Sequence, residues 1–506
     1  MPNAERRWLL PLLAALYLIP YPYFPYIRSP NEGSRLYQAR AIVDDGTFAL
    51  DGEVRRYGPM GDLSHSDRGL FPNKAPGISM LGAGVYWVAR LFAGGDGSRV
   101  SNQTLQYLLR LFCSEVPTLM LLWFLRPRLW RWAGDGVAAD LTLVTYALGS
   151  LAYTYGLLYF GHQLTAACLM GSFLAIEAAR ENAARELPRL ALAGFLAGSA
   201  ILVEYPGALA ALPLGLYVLW VFQRRWRAVV AFGVASLPPQ LLLLWYHKVC
   251  FGSPFSIGYR NNVSAQFNAW TARGFVGVSL PTWTGFWGSL LSPARGLLVF
   301  SPFLALAAYG FVRARRHSEL RRPAVLIGVL TALYLLFAAS FVYEGWGWTV
   351  GPRHITPLAA FLSPVVALAL GELGRRAPLW RGVGVGLCGL SVVITSIATI
   401  TYPHLPEAFT NGFFEVSLPL LMGGFLPRNL LGLLFQAPAL GWVLFFAGWA
   451  TALIWMGVKG VSGAAPRAAM LATFALGFVL LGSLGRGESP EKTQMLQFIR
   501  QTYRAE

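Results

Sequence analysis

A handful of charged and aromatic side chains with the means to do chemistry stand in the polar breaks of a largely apolar chain. The first long break, residues 28–75, holds the acids Glu32, Asp44, Asp45, Asp51, Glu53, Asp62 and Asp67. Glu32 lies a few residues beyond an apolar run, at the height where a membrane surface would be. A carboxylate there serves as a general base toward a hydroxyl, as a metal ligand, or as a helix-capping loop acid. Asp62 is the second candidate base. Lys74, in Asn73-Lys74-Ala75-Pro76-Gly77, suits a lipid phosphate; it equally suits a side chain that snorkels to the interface. The break over 343–354 joins Glu344, Trp346 and Trp348 to Arg353 and His354. An aromatic platform beside a basic pair fits a sugar phosphate, Arg353 through its planar fork. The same tryptophans fit an interfacial belt. Arg295 stands between Pro293 and Gly296, Tyr259-Arg260 follow a Gly/Pro-rich turn, and His162 and Glu204 occupy tight hairpins. Each of the last two also reads as a structural residue at a helix end.

The elements that must position these groups are membrane helices. Of the 506 residues, 55% are hydrophobic and 13% charged, about half the charge content of a soluble domain. Apolar stretches long enough to span a bilayer recur from residue 9 almost to 485. The run after Glu5-Arg6-Arg7 is too long for a cleaved signal and reads as a retained first helix. Cys113, Cys168, Cys250 and Cys388 are far apart and mostly sit in apolar runs, so neither a disulfide nor a zinc site is expected. There is no P-loop and no glycine-rich dinucleotide turn ahead of a helix.

The net charge of +17 is a topology signal rather than a nucleic-acid footprint, because the arginines gather in short loops. The clusters are Arg126/Arg128/Arg131, Arg180/Arg185/Arg189, Arg224/Arg225/Arg227, Arg313 to Arg322, and Arg375/Arg376/Arg381. With Arg6 and Arg7 inside, all of these fall inside if 76–93 is an interfacial helix on the outer face. The spans are then about 8–27, 105–125, 136–156, 163–179, 189–203, 206–222, 228–246, 297–312, 323–341, 355–373, 382–401, 439–458 and 467–485, about thirteen crossings with the C-terminus outside. Residues 28–75, 247–296, 342–354 and 402–438 come out on one face. Glu32, Lys74, His162, Glu204, Arg260, Arg295, Glu344, Arg353 and His354 all lie there, and polar groups gathered at helix ends mark a functional site.

In this order the residues resemble the GT-C superfamily of membrane glycosyltransferases, in particular the bacterial branch related to protein O-mannosyltransferases and to the lipid A aminoarabinose transferase. SPNEGSRL places Glu32 where that family has its acid after helix 1, and NKAPGISML supplies Lys74 and Pro76. FGSPFSIGY at 251–259, LLSPARGLLVFSP at 290–302 and WGWTVGPRH at 346–354 are similar to phrases of bacterial relatives. The likeness runs from about residue 1 to 375. It departs at Asn31-Glu32, where the family often has Asp-Glu, and at Gly77, where it has a second proline.

The resemblance implies an all-α integral membrane protein of GT-C type with about 13 transmembrane helices and interfacial helices in the first outer loop. It implies a catalytic module over 1–375, including loop 28–75, followed by C-terminal helices and a short outer tail over 376–506. The implied reaction moves a sugar from a polyprenyl-phosphate donor to an acceptor hydroxyl of a glycan, lipid or protein, in one inverting displacement. Glu32 is the expected base, with Asp62 behind it. Lys74, Arg295, Arg353 and His354 are expected to meet the donor phosphate. His162, Glu204, Tyr259, Arg260, Glu344, Trp346 and Trp348 are expected to contact substrate. A divalent metal ion is the only cofactor left open, and no convincing ligand set stands in the sequence. The setting implied is the plasma (inner) membrane of a bacterium, multi-pass among membrane lipids, with the site on the periplasmic or extracellular side and no nucleic acid involved. The competing class is a transporter or flippase of a lipid-linked sugar, which usually shows paired repeats and mid-helix charges that are not evident here.

This topology is checked by cysteine labelling. Ser66→Cys is expected to react with an impermeant maleimide from outside the cell, and Ser318→Cys only after permeabilisation. The opposite pattern overturns the arrangement.

Overall fold

The computed structural model describes residues 7–21, 23, 29–341, 347–485, 487 and 489–502. Helices dominate it and strand is almost absent among the described residues, and the chain is a multi-pass membrane protein. Eight described helices are long and apolar enough to cross a bilayer: Asn102–Ala133, Ala183–Val203, Trp226–Phe251, Ser318–Ser340, Arg353–Arg376, Pro378–Thr401, Pro438–Gly460 and Ala464–Ser483. The other five expected spans coincide with shorter or more polar helices. Four of these are Leu9–Leu18, Gly136–Leu148, Tyr205–Val221 and Pro302–Ala314. The fifth, Gly161–Glu181, carries Glu177, Arg180 and Glu181 in its last turns. The stretch expected as one span over 136–156 is broken. Its helix stops at Leu148, and Ser150 caps a new short helix, Leu151–Gly156, by accepting the N–H of Ala152.

Exposure follows the solvent. Arg353–Arg376 and Pro378–Thr401 run through the interior and are buried over most of their length. Ala464–Ser483 lies outermost, with Leu471, Leu476, Val479 and Leu480 exposed. Large apolar side chains on such a face are stable only against lipid.

Several helices carry polar and charged residues at both ends. At one end stand ion pairs: Arg126–Asp140 at 2.8 Å, Arg128–Glu181 at 2.7 Å, Arg381–Asp135 at 2.7 Å, and Glu372 with Arg375 at 2.7 Å and Arg376 at 3.1 Å. At the other end of the same helices stand Arg110, His162 and Arg353. Arg110 and Arg126 are separated by about 24 Å of helix, and Arg353 and Glu372 by about 28 Å, close to the thickness of a hydrocarbon core.

The first long break folds against the second of these ends. It contains the helices Pro30–Asp44 and Asp51–Tyr57, then an antiparallel hairpin of Leu63–Ser66 with Gly69–Pro72. The hairpin was not expected from the sequence. The helix expected over 76–93 forms as Gly77–Phe92 and packs on Pro30–Asp44. A satellite core of Leu36, Ile78, Tyr86, Leu109, Tyr159 and Val203 ties this layer to the spanning helices.

Candidate functional site

The site is assembled on the helix Pro30–Asp44. Proline at its first position has the φ a helix needs and lacks an N–H that would go unbonded. The acid of the first turn, Glu32, complements the positive end of the helix dipole. Glu32 is 1% exposed. Its Oε1 accepts Arg110 Nε at 2.8 Å and its Oε2 accepts Arg110 Nη2 at 2.8 Å. The backbone N–H of Tyr159 adds a third bond at 2.8 Å. Burial, the largest influence, pushes the Glu32 carboxyl up. Arg110 outweighs it, helped by the Tyr159 N–H, and holds the group below the ordinary carboxylate range. Both oxygens of the expected base are therefore engaged.

Arg35, one turn further on, donates to Asn31 Oδ1 and to Glu204 Oε1. Glu204 directly follows the helix Glu186–Val203. Gly161 lets it come close, since a Cβ there would lie 2.5 Å from Glu204 Oε1. His162 Nδ1 is 3.9 Å from the same oxygen, and the His162 and His354 rings meet edge to face at 5.0 Å.

The hairpin places the next pair. Asn73 N–H donates to Asp62 O at 3.0 Å, which sets Asp62 across from Asn73 and Lys74 at the hairpin's open end. Lys74 Nζ lies 3.5 Å from Asp62 Oδ2 and 5.0 Å from the centre of the Tyr259 ring. Tyr259 reaches it because Gly258 has no side chain; a Cβ there would lie 2.8 Å from Asn73 Cα. Ser64 Oγ donates to Gly258 O and Asn73 Nδ2 to Asn262 Oδ1, both at 2.7 Å, so the second polar stretch is stitched onto the first. Asp62 has φ of 58°, a left-handed conformation seldom adopted by a residue with a side chain. Burial lowers the Lys74 pKa; Asp62 and Glu204 oppose this, while Arg353 and Arg35 reinforce it, and the net shift is downward.

Arg353 and Arg295 complete the cationic side. Arg353 begins the Arg353–Arg376 span, and its Nε is buried without a hydrogen-bond partner. Arg295 Nη2 donates to Leu405 O at 3.2 Å, and its Nε also lacks a partner. His404 stacks near Phe160 at 6.2 Å. Burial pushes His404 down to about 4 although Glu32 pulls it up, so it is neutral at physiological pH.

Thus Asp62, Lys74, Glu204, Tyr259, His162, His354 and Arg353 come together, with Arg295 beside Arg353 and Glu32 underneath. Arg260 is exposed next to Tyr259. Trp348 hydrogen-bonds His404 through its backbone, while its ring is partly exposed. Glu344 and Trp346 lie outside the described residues. Among the described residues no three His, Cys, Asp or Glu side chains gather so as to hold a metal ion. Sequence reasoning missed Arg35, Arg110 and His404. For Arg110 a signal existed, an arginine inside an apolar helix, since such a charge needs a partner.

No family model matches the chain, and no curated sequence matches it significantly. Solved structures are similar at low identity. ArnT from Cupriavidus metallidurans in the apo state is 17% identical with a TM-score of 0.46, over 96% of this chain and 78% of that one. The arabinosyltransferase EmbB from Mycobacterium smegmatis is 15% identical with a TM-score of 0.48, over 99% and 43%. The archaeal oligosaccharyltransferase AglB from Archaeoglobus fulgidus, in complex with an inhibitory peptide and a dolichol-phosphate, is 14% identical with a TM-score of 0.47, over 98% and 58%. The chain thus spans less than two thirds of the length of the last two. The functional reading rests on the geometry of the site itself.

Gly161→Ala tests that geometry. The new methyl has to push Glu204 off Arg35, and overpacking of this kind costs about 1–3 kcal/mol. A lowered unfolding temperature in detergent is expected, and unchanged stability contradicts the contact.

Proposed function

We propose that this chain is a membrane glycosyltransferase that moves a sugar from a polyprenyl-phosphate donor to an acceptor hydroxyl at the outer face of a bacterial inner membrane. The observation that carries the reading is the cationic row Lys74, Arg353 and Arg295 beside one incompletely engaged acid, Asp62, at the ends of membrane-spanning helices. A lipid-linked phosphate reaches such a place from the side, with its chain still in the bilayer.

Each role follows from what the side chain has to offer. Arg353 and Arg295 each hold an N–H without a partner, suited to a phosphate oxygen. Lys74 is a cation on a flexible stem, paired with Asp62 at 3.5 Å. When a phosphate arrives, the ammonium turns toward it and leaves Asp62 free to accept a proton. Asp62 then takes the proton of the acceptor hydroxyl while that oxygen attacks the anomeric carbon. The bond from that carbon to the phosphate oxygen breaks, and the cations receive the charge that collects on the departing polyprenyl phosphate. With the sugar lying between base and phosphate, the displacement inverts the anomeric centre. Sequence order favoured Glu32 as the base. The bidentate bond to Arg110 favours Asp62 instead, with Glu32 as a positioning residue that holds Arg110 and the turn at Tyr159.

Turnover is read as release of polyprenyl phosphate from labelled donor in native membranes. Asp62→Asn is expected to slow it by roughly 10²–10⁴-fold with donor affinity nearly intact. Glu32→Gln is expected to lower thermal stability as well as turnover. A fully stable but inactive Glu32→Gln protein beside an active Asp62→Asn protein returns the base to Glu32. If neither change affects turnover while vesicles show movement of the lipid-linked sugar, the chain is a transporter.

A further inference from the structure

Behind the cationic row lies a small cavity whose lining includes His162, Thr165, Glu204, Tyr334 and His354. Three of its polar atoms, His162 Nε2, Thr165 Oγ1 and Tyr334 Oη, are buried and have no hydrogen-bond partner. Their side chains belong to residues that are 4%, 3% and 0% exposed. His162 and Thr165 stand three apart on the helix Gly161–Glu181 and so share a face. Tyr334 comes from the facing span Ser318–Ser340.

A buried polar atom left without a bond costs about 1–3 kcal/mol, and native interiors seldom leave several together. Three in one cavity mark a place that is completed by something bound there. The free space is about 10 Å³ at the centre of a water-sized sphere, room for about one water or one hydroxyl group. The chemistry of the wall narrows the choice further. Two hydroxyls and one imidazole nitrogen can all donate or accept as needed, and the one carboxylate, Glu204, is already paired with Arg35. Such a wall suits a neutral group that both donates and accepts. A full charge would be desolvated there without a counter-ion. The cavity also adjoins the proposed reaction centre: its rim residue His354 follows Arg353, and Arg353 and Lys74 are within electrostatic reach of both histidines.

We propose that this cavity is a subsite for one hydroxyl group of the sugar carried by the polyprenyl-phosphate donor, read by Tyr334, Thr165 and His162. The proposal rests on the glycosyltransferase reading and adds to it a specificity. A hydroxyl fits the cavity, and an acetamido group is too large for it.

Binding is measured on the purified full-length protein in nanodiscs with four probes: a short-chain polyprenyl phosphate, and the same lipid carrying mannose, glucose or galactose. At least one sugar is expected to tighten binding over the bare lipid. Tyr334→Phe and Thr165→Val are each expected to remove about tenfold of that gain, the loss of one hydrogen bond, and to leave affinity for the bare lipid unchanged. Both variants keep the shape of the side chain, and neither residue belongs to the proposed catalytic machinery. If no sugar adds affinity, or if both variants bind the sugar-bearing lipid as the wild type does, the subsite is refuted and the functional reading stands. If the bare polyprenyl phosphate does not bind at all, the functional reading falls and takes the subsite with it.

Discussion

A guanidinium buried in a membrane-spanning helix has to be neutralised, and the polar layer packed over it is built around that requirement. Arg110 is 1% exposed and meets Glu32 through two bonds of 2.8 Å. Breaking such a pair costs about 3–5 kcal/mol, because it strands the remaining charge in a low dielectric. The pair therefore fixes where the helix Pro30–Asp44 starts. The same helix carries Arg35, which fixes Glu204. Glu32 also binds the N–H of Tyr159, two residues before the glycine that makes room for Glu204. A π-helical turn over Leu111–Glu115 follows Arg110 directly; such turns occur often at functional sites.

The second consequence is electrostatic. The charge of Arg35 is balanced by Glu204, with Asn31 as a further acceptor, and that of Arg110 by Glu32. What is left over is positive. Lys74 is held below its ordinary pKa by burial and by the nearby arginines, and Arg353 and Arg295 keep unbonded N–H groups. An anion entering this region relieves repulsion among the cations and fills their vacant bonds at once. This is the physical basis for expecting a phosphate, and it stands independently of which acid accepts the proton.

The legibility of the sequence followed the range of the interactions. Helices were readable because hydrophobic runs are local, and the arginine clusters sorted their ends. Arg126, Arg313 and Arg375 do lie at the ends away from Arg353 and His162. Length was less legible. The break at Gly149-Ser150 splits an apolar run that hydropathy alone reads as continuous, and the hairpin 63–72 hid between charged residues. Lys74 and Arg353, which stand in distinctive local phrases, could be singled out as candidates from the sequence. Those defined by long-range pairing could not. Nothing near Arg110 announces Glu32, seventy-eight residues earlier, and His404 sits in a stretch with no motif. The pairing also anchors both oxygens of Glu32, which its position in the chain does not reveal.

The central claim is that the row of Lys74, Arg353 and Arg295 receives a lipid-linked phosphate. The most direct measurement is a structure of the protein in nanodiscs with bound polyprenyl phosphate. The account predicts the phosphate within about 3 Å of Lys74 Nζ and of the Arg353 guanidinium, with Lys74 drawn away from Asp62. A phosphate bound elsewhere, with the Lys74–Asp62 pair intact, would contradict it.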